Sequence, residues 1–176
     1  MGAKAPLKIV ILGGIAPHKG SKVLLDCAKD ALARNLPLHF TLLGHSDLEK
    51  QLAPLKNVTL SGRYLPHKLT GLLKAGKFHL AFLPSVIPET YNYTLSECWQ
   101  HGLFPVCLDI GAIAARIRAT GQGCVLPYEF YYQPERLNDA LLSLAIQPID
   151  KEKIIPALQE YPSLLQNYYG FPPGSA

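Results

Sequence analysis

No apolar run in this 176-residue sequence approaches the roughly 18 residues that a membrane-spanning helix needs, the longest being stretches such as Ile9–Leu12 and Leu80–Leu83. The amino end lacks the charged-then-apolar layout of a secretory signal, so the expectation is a soluble chain with no transmembrane segment. Cysteine is scarce: the four, at 27, 98, 107 and 124, form no C-x-x-C pair and no zinc pattern with the six scattered histidines. A reducing cytoplasm is the simpler setting. Charge of either sign is thin, with 17 basic and 13 acidic residues and no Lys/Arg block longer than two. That balance gives no nucleic-acid footprint, and its mild positive excess suits a small anionic ligand. Glycine and proline, 14 and 15 residues, fall well short of the share that marks low complexity. What is present is 48% hydrophobic, in a chain long enough for one compact domain with a buried core.

Short aliphatic runs alternate with helical patterns along the whole length. Leu7–Leu12, Leu38–Gly44, Val58–Gly62, His79–Leu83, Pro105–Leu108 and Cys124–Leu126 read as strands. Val23, Leu24, Cys27, Ala28, Ala31 and Leu32 form a wide apolar stripe at helical spacing, closed by Asn35 and Pro37. Leu137, Ala140, Leu141 and Leu144 repeat the pattern behind Pro134. Such alternation predicts a parallel sheet with helices on both faces, and for a doubly wound sheet of this kind the expected order is 3-2-1-4-5-6. Ligands of such sheets bind beyond the carboxyl ends of the strands, here the loops Gly13–Gly20, Gly44–Asp47, Gly62–Leu65 and Pro84–Thr94. The pattern breaks near residue 150. Leu158, Tyr161, Leu164, Leu165, Tyr168 and Tyr169 outline a terminal helix that packs either on this domain or on a partner domain, and the Pro-Pro-Gly-Ser-Ala end reads as a linker.

Two loops carry candidate chemistry. Gly13-Gly14-Ile15-Ala16-Pro17-His18-Lys19-Gly20 follows a strand and opens a helix, where backbone N–H groups and the helix dipole attract phosphate. It is neither G-x-G-x-x-G nor a Walker A loop, which argues against a nicotinamide dinucleotide and against a P-loop. Ser21 is a natural N-cap, and Lys19 is either a solvated turn lysine or a phosphate contact. In the second loop, Pro84 to Glu97, Pro84 and Pro88 keep the chain out of helix, so Glu89 belongs to a loop. Thr94 with Glu97 reads as a capping box, the structural alternative to a ligand role for Glu97. Glu89 at the sheet's mouth can accept hydrogen bonds from sugar hydroxyls while the N–H groups of Asn92, Tyr93 and Thr94 hold phosphate. Tyr64 either stacks on a base, with Arg63 nearby, or simply packs.

Glu89, seven residues and Glu97, followed by His-Gly-Leu-Phe-Pro-Val, resembles the E-x7-E signature of retaining, nucleotide-sugar-dependent glycosyltransferases of group 1 (family 4). Gly13 through Gly20, Leu43-Gly44-His45-Ser46-Asp47, Gly62-Arg63-Tyr64-Leu65-Pro66, Asp109–Ile117, Gly121–Pro127 and Pro134–Leu137 resemble the remaining loops of that family's donor-binding half in order, over about Leu7 to Leu144.

The resemblance implies a Rossmann-like domain over residues 1–150, the single donor-binding half of a GT-B fold, with residues 151–176 as a helix and tail returning to an acceptor-binding domain that precedes it. It also implies that Glu89 contacts the transferred hexose, Glu97 the ribose, and Lys19 the diphosphate, with Gly13, Gly14, His18, Gly44, Arg63, Tyr64, Asn92, Tyr93 and Thr94 around the donor. The family's second diphosphate cation, an arginine, falls at Gly14, and Arg63 and His18 are the expected substitutes. Without a D-x-D carboxylate cluster no metal is expected, and no cofactor beyond the nucleotide sugar itself. The implied reaction is hexosyl transfer to a glycan-type acceptor, by a longer parent chain rather than by this half alone. A non-catalytic module on the same fold is the rival reading, favoured by Gly14 and the lone half. Met1-Gly2-Ala3 reads as an expression start.

Overall fold

A computed structural model describes residues 5–158. Six strands, β1 (Leu7–Ile15), β2 (Leu38–Ser46), β3 (Val58–Leu60), β4 (Leu80–Leu83), β5 (Phe104–Leu108) and β6 (Cys124–Leu126), form one sheet in the order β3-β2-β1-β4-β5-β6. Every pairing between them is parallel. The expected topology is therefore present, with strand order reversing between β1 and β4.

Alternation along the central strands explains why both faces are covered. Ile9 and Ile11 belong to one apolar cluster and Val10 and Leu12 to another, because successive side chains leave a strand on opposite sides. Helices α1 (Ser21–Ala33) and α6 (Pro134–Ser143) pack into the first cluster through Val23, Leu24, Cys27, Leu137 and Leu141. The short helix α2 (Glu49–Leu52) adds Leu52 to it. On the other face α3 (Leu69–Gly76) supplies Leu69 and Leu73, while α4 (Tyr93–Gln100) and α5 (Gly111–Thr120) enclose Leu95, Trp99, Ile113 and Ile117. Trp99 is fully buried and donates its indole N–H to the Gln122 carbonyl, 2.7 Å away, so its polar atom is satisfied inside the core.

Some boundaries differ from the sequence reading. β1 runs through Gly13 and Gly14 to Ile15, and β2 through Gly44 and His45 to Ser46, so these glycines lie in paired strand ends rather than in loops. The reason is register: Gly13 pairs with Gly44, and a Cβ at Gly44 would run into the Gly13 carbonyl, so the two backbones approach only because position 44 has none. Leu32 is exposed and drops out of the α1 stripe. Ser21 is not the N-cap of α1. Gly20 is, at φ 82°, and Ser21 is buried with its hydroxyl unpartnered.

All four cysteines are free thiols. Burial pushes the Cys107 thiol up to about 12, with the neighbouring Cys124 adding to the rise, so it stays protonated and unreactive at neutral pH. Residues 151–158 form a further helical segment whose Ile154 is buried beside Trp99 and Ile117. That part packs on this domain. The Tyr- and Leu-rich stretch from Tyr161 onward lies outside the described residues.

Candidate functional site

At the carboxyl rim of the sheet, where strand order reverses, the turn after β1 and the loop after β4 are locked together. Lys19 N–H donates to Ala16 O at 2.8 Å and Gly20 N–H to Pro17 O at 3.2 Å, closing a tight turn. Gly20 needs its left-handed backbone, and it also lies so close to Pro84 that a Cβ would collide with the Pro84 carbonyl. Val86 N–H donates to His18 O, 3.1 Å, as a second tie. The result holds Lys19 beside the β4 loop. Its ammonium makes no ion pair or hydrogen bond among the described residues.

Glu89 is half-buried and gripped from several sides. Ser85 Oγ donates to Oε1 in a short hydrogen bond, and Asn92 Nδ2 donates to Oε2 at 2.8 Å. Asn92 Oδ1 in turn accepts from Leu95 N–H at 2.7 Å, so Asn92 is the N-cap of α4. The expected Thr94–Glu97 capping box is absent, because the cap lies two residues earlier. One amide thus starts the helix and aims the carboxylate. From below, Ala112 N–H donates to Glu89 O at 3.0 Å, and a Cβ at Gly111 would come within 2.8 Å of Glu89 N. Arg116 of α5 ties the far side of the loop: Nη1 donates to Asn92 O at 3.1 Å and Nη2 to Ser96 Oγ at 2.9 Å, with the guanidinium 4.4 Å from the Tyr91 ring centre.

Lys19 and Glu89 line one cleft, together with Gly13, Gly14, Ser85, Asn92 and Thr94. Six of the expected site residues therefore meet there: Gly13, Gly14, Lys19, Glu89, Asn92 and Thr94. His18, Gly44, Arg63, Tyr64, Tyr93 and Glu97 are not part of that lining. His18 and Arg63 are exposed. Tyr64 is half-buried against the Val10, Leu12 and Leu43 cluster, so packing accounts for its position. Burial, and then the nearby charge of Glu97, holds the Tyr64 hydroxyl above its ordinary value. Glu97 itself is half-buried, and burial holds its carboxyl above the usual range against the opposing pull of His101. Tyr93 is exposed and meets Tyr91 edge-on with ring centres 5.1 Å apart.

Three contributors were missed as functional residues. Ser85 lies within the loop already singled out, but nothing in its spacing marks it as a carboxylate partner. Arg116 lies 24 residues beyond Asn92 and no local pattern joins them. His45 places its imidazole over Gly14: a Cβ there would lie 2.5 Å from Cε1 and 2.9 Å from Nε2.

A parallel sheet of this order, with a lysine, a helix start and an anchored carboxylate at its switch point, is the Rossmann-like domain that matches the C-terminal halves of GT-B glycosyltransferases. The chain belongs to the glycosyl transferases group 1 family, whose model matches residues 6–146. Among solved structures it is similar to the apo lipopolysaccharide outer core galactosyltransferase WaaB, at 18% identity and TM-score 0.63, over 90% of this chain and 45% of that one. It is similar as well to the C-terminal domain of the group 1 glycosyl transferase LpcC from Francisella tularensis, at 16% identity and TM-score 0.58, over 94% of this chain and 88% of that domain. HepE of Anabaena, solved with UDP-glucose, is 18% identical with a TM-score of 0.55, over 90% of this chain and 49% of HepE. The chain thus spans less than half of WaaB and of HepE. No protein of curated function matches it by sequence. No helix among the described residues is long and apolar enough to cross a membrane.

Proposed function

We propose that this chain is the donor-binding half of a retaining glycosyltransferase that moves a hexosyl group from a nucleoside diphosphate sugar to a glycan-type acceptor in the cytoplasm. The observation that carries the reading is the meeting of Lys19, Glu89 and the first turn of α4 on one cleft at the sheet's switch point.

Breaking the sugar–phosphate bond leaves negative charge on the diphosphate while the hexose ring becomes oxocarbenium-like, so fixed positive potential belongs beneath the phosphates. Lys19 supplies a full charge and the α4 start a partial one. Glu89 accepts one hydrogen bond at each oxygen from Ser85 and Asn92, and a carboxylate has about four acceptor positions, so two remain for sugar hydroxyls. Because both partners are themselves anchored, the carboxylate needs no reorganisation when the donor arrives. Glu97, one turn beyond the start of α4, is the residue this reading assigns to the ribose.

The cleft has a volume of about 60 Å³. Small-molecule sites usually enclose about 300 Å³ or more. One wall of a site is what this domain offers, which supports a preceding acceptor-binding domain as the other wall.

The test is calorimetric titration of the chain with UDP, GDP and dTDP at low salt. Binding of at least one in the micromolar to low millimolar range is expected, and no heat with any of them overturns the proposal. Glu97→Ala is expected to weaken the nucleotide, whereas Glu89→Ala spares it and abolishes transfer by the longer parent enzyme. Equal loss of nucleotide affinity in both variants refutes that division of roles. A parent enzyme that binds nucleotide and transfers no sugar from any donor is instead a binding module on this fold.

A further inference from the structure

We propose that His45 is a second diphosphate contact of this site, its imidazole lying over Gly14, a residue of the cleft that Lys19 lines. This rests on the donor-binding reading above and adds to it a residue from the neighbouring strand.

The two glycines at the end of β1 are there for different reasons. Gly13 has φ 85° and nothing within 4 Å of where a Cβ would stand, so backbone conformation requires it. Gly14 is not among the positive-φ glycines, so its backbone accepts any residue. What leaves no room for a side chain at position 14 is the His45 ring, which would lie 2.5 Å from the Cβ at Cε1, 2.9 Å at Nε2 and 3.2 Å at Nδ1. The ring's place follows from register, because β1 and β2 stay paired beyond Gly13 and Gly44 and set His45 opposite Gly14.

Gly14 lines the cleft that Lys19 and Glu89 share. The imidazole therefore packs on the cleft wall while His45 remains exposed to solvent. Neither ring nitrogen has a hydrogen bond or ion pair among the described residues. A solvent-exposed ring with both nitrogens unpartnered can donate to an anion without first giving up a hydrogen bond within the protein. A diphosphate is the anion that fits: it spreads charge over several oxygens, and one ammonium cannot reach them all.

The experiment is titration of the intact chain with UDP, GDP, dTDP and the corresponding monophosphates, for wild type, His45→Ala, His45→Gln and Lys19→Ala. The expected result is a loss of about five- to tenfold in nucleoside diphosphate affinity for His45→Ala, a smaller change for the monophosphate, and partial retention in His45→Gln, which keeps a donor. The double variant Gly14→Arg with His45→Ala, placing a cation in the vacated space, is expected to recover diphosphate affinity. In wild type the His45 Cε1–H resonance is expected to shift on adding the diphosphate. If His45→Ala binds as wild type does while Lys19→Ala is weakened, His45 is no contact and the donor-binding reading stands. If wild type binds no nucleoside diphosphate, that reading falls and the inference with it. Circular dichroism of each variant separates lost binding from lost fold.

Discussion

At the scale of single residues, Glu97 is held in a form that opposes folding. Burial raises its carboxyl above the ordinary value of 4.5, so the native state binds more protons than the unfolded chain between those two values. Stability contributed by the protonated form is full below the ordinary value and is lost as pH rises through the raised one, leaving a penalty at neutral pH. Glu97→Gln removes it. Thermal unfolding followed from pH 4 to 8 is expected to show the variant equal to wild type at the acid end and more stable at the neutral end. The same variant is expected to bind nucleoside diphosphate more weakly, which is how a destabilising acid retained for ligand binding differs from one that is merely tolerated. Asn92 gives a complementary test. Asn92→Asp keeps an acceptor for Leu95 N–H and so keeps the cap, but it sets a second carboxylate 2.8 Å from Glu89 where an amide donor stood. Stability at neutral pH is expected to fall by about 1–2 kcal/mol in urea melts and to recover as the pair gains a proton in acid. This site was half legible. Thr94-x-x-Glu97 fits a capping pattern, yet the helix starts at Asn92, whose amide bonds Leu95 N–H on one side and Glu89 on the other, both three residues away.

At the scale of elements, the loops after β1 and β4 are tied together where Gly20 meets Pro84 and Val86 N–H meets His18 O, and Arg116 of α5 holds the far side of the β4 loop. Gly20→Ala forces an L side chain into a left-handed position and against the Pro84 carbonyl. A loss of at least about 2 kcal/mol is expected, read as a fall in Tm of about 4–8 °C. Arg116→Lys keeps the charge but not the fork that reaches Asn92 O and Ser96 Oγ together. Faster hydrogen exchange confined to the β4 loop and the first turn of α4 is the expected outcome, and an unchanged exchange pattern there shows that the fork is not what holds the loop. Element order was readable because the apolar periods switch cleanly between strand and helix. The ends of β1 and β2 were not, since Gly13-Gly14 reads locally as a break, whereas the chain pairs through it once Gly44 lies opposite. Ile9 to Leu12 show the same limit from the other side: all four are buried, composition marks the strand as apolar, and only the sheet decides which cluster each residue joins.

For the whole molecule, the deciding quantity is how much of a ligand one domain can enclose. The sheet order places the Lys19 and Glu89 loops at a single rim whatever lies beyond it, which is why strand–helix alternation already pointed to these loops as the place of a candidate cleft. The surroundings of the cleft were not legible, because Arg116 and His45 reach Asn92 and Gly14 from elements far apart in sequence, while Ser85, four residues from Glu89, has no spacing that marks it as a partner. A cleft of about 60 Å³ leaves most of a nucleotide sugar in water. On the proposed reading, a second domain closing over it would remove that water and strengthen each charged contact. The isolated chain is therefore expected to bind the nucleoside diphosphate and the corresponding nucleotide sugar with similar, weak affinity, since the sugar gains little from an open wall. In a two-domain parent the nucleotide sugar is expected to bind at least about tenfold more tightly than it does to this chain, a difference of about 1.4 kcal/mol. Parallel titrations of the two proteins measure it. An isolated chain that already matches its parent holds the whole donor site by itself, and the half-site account of this domain then fails.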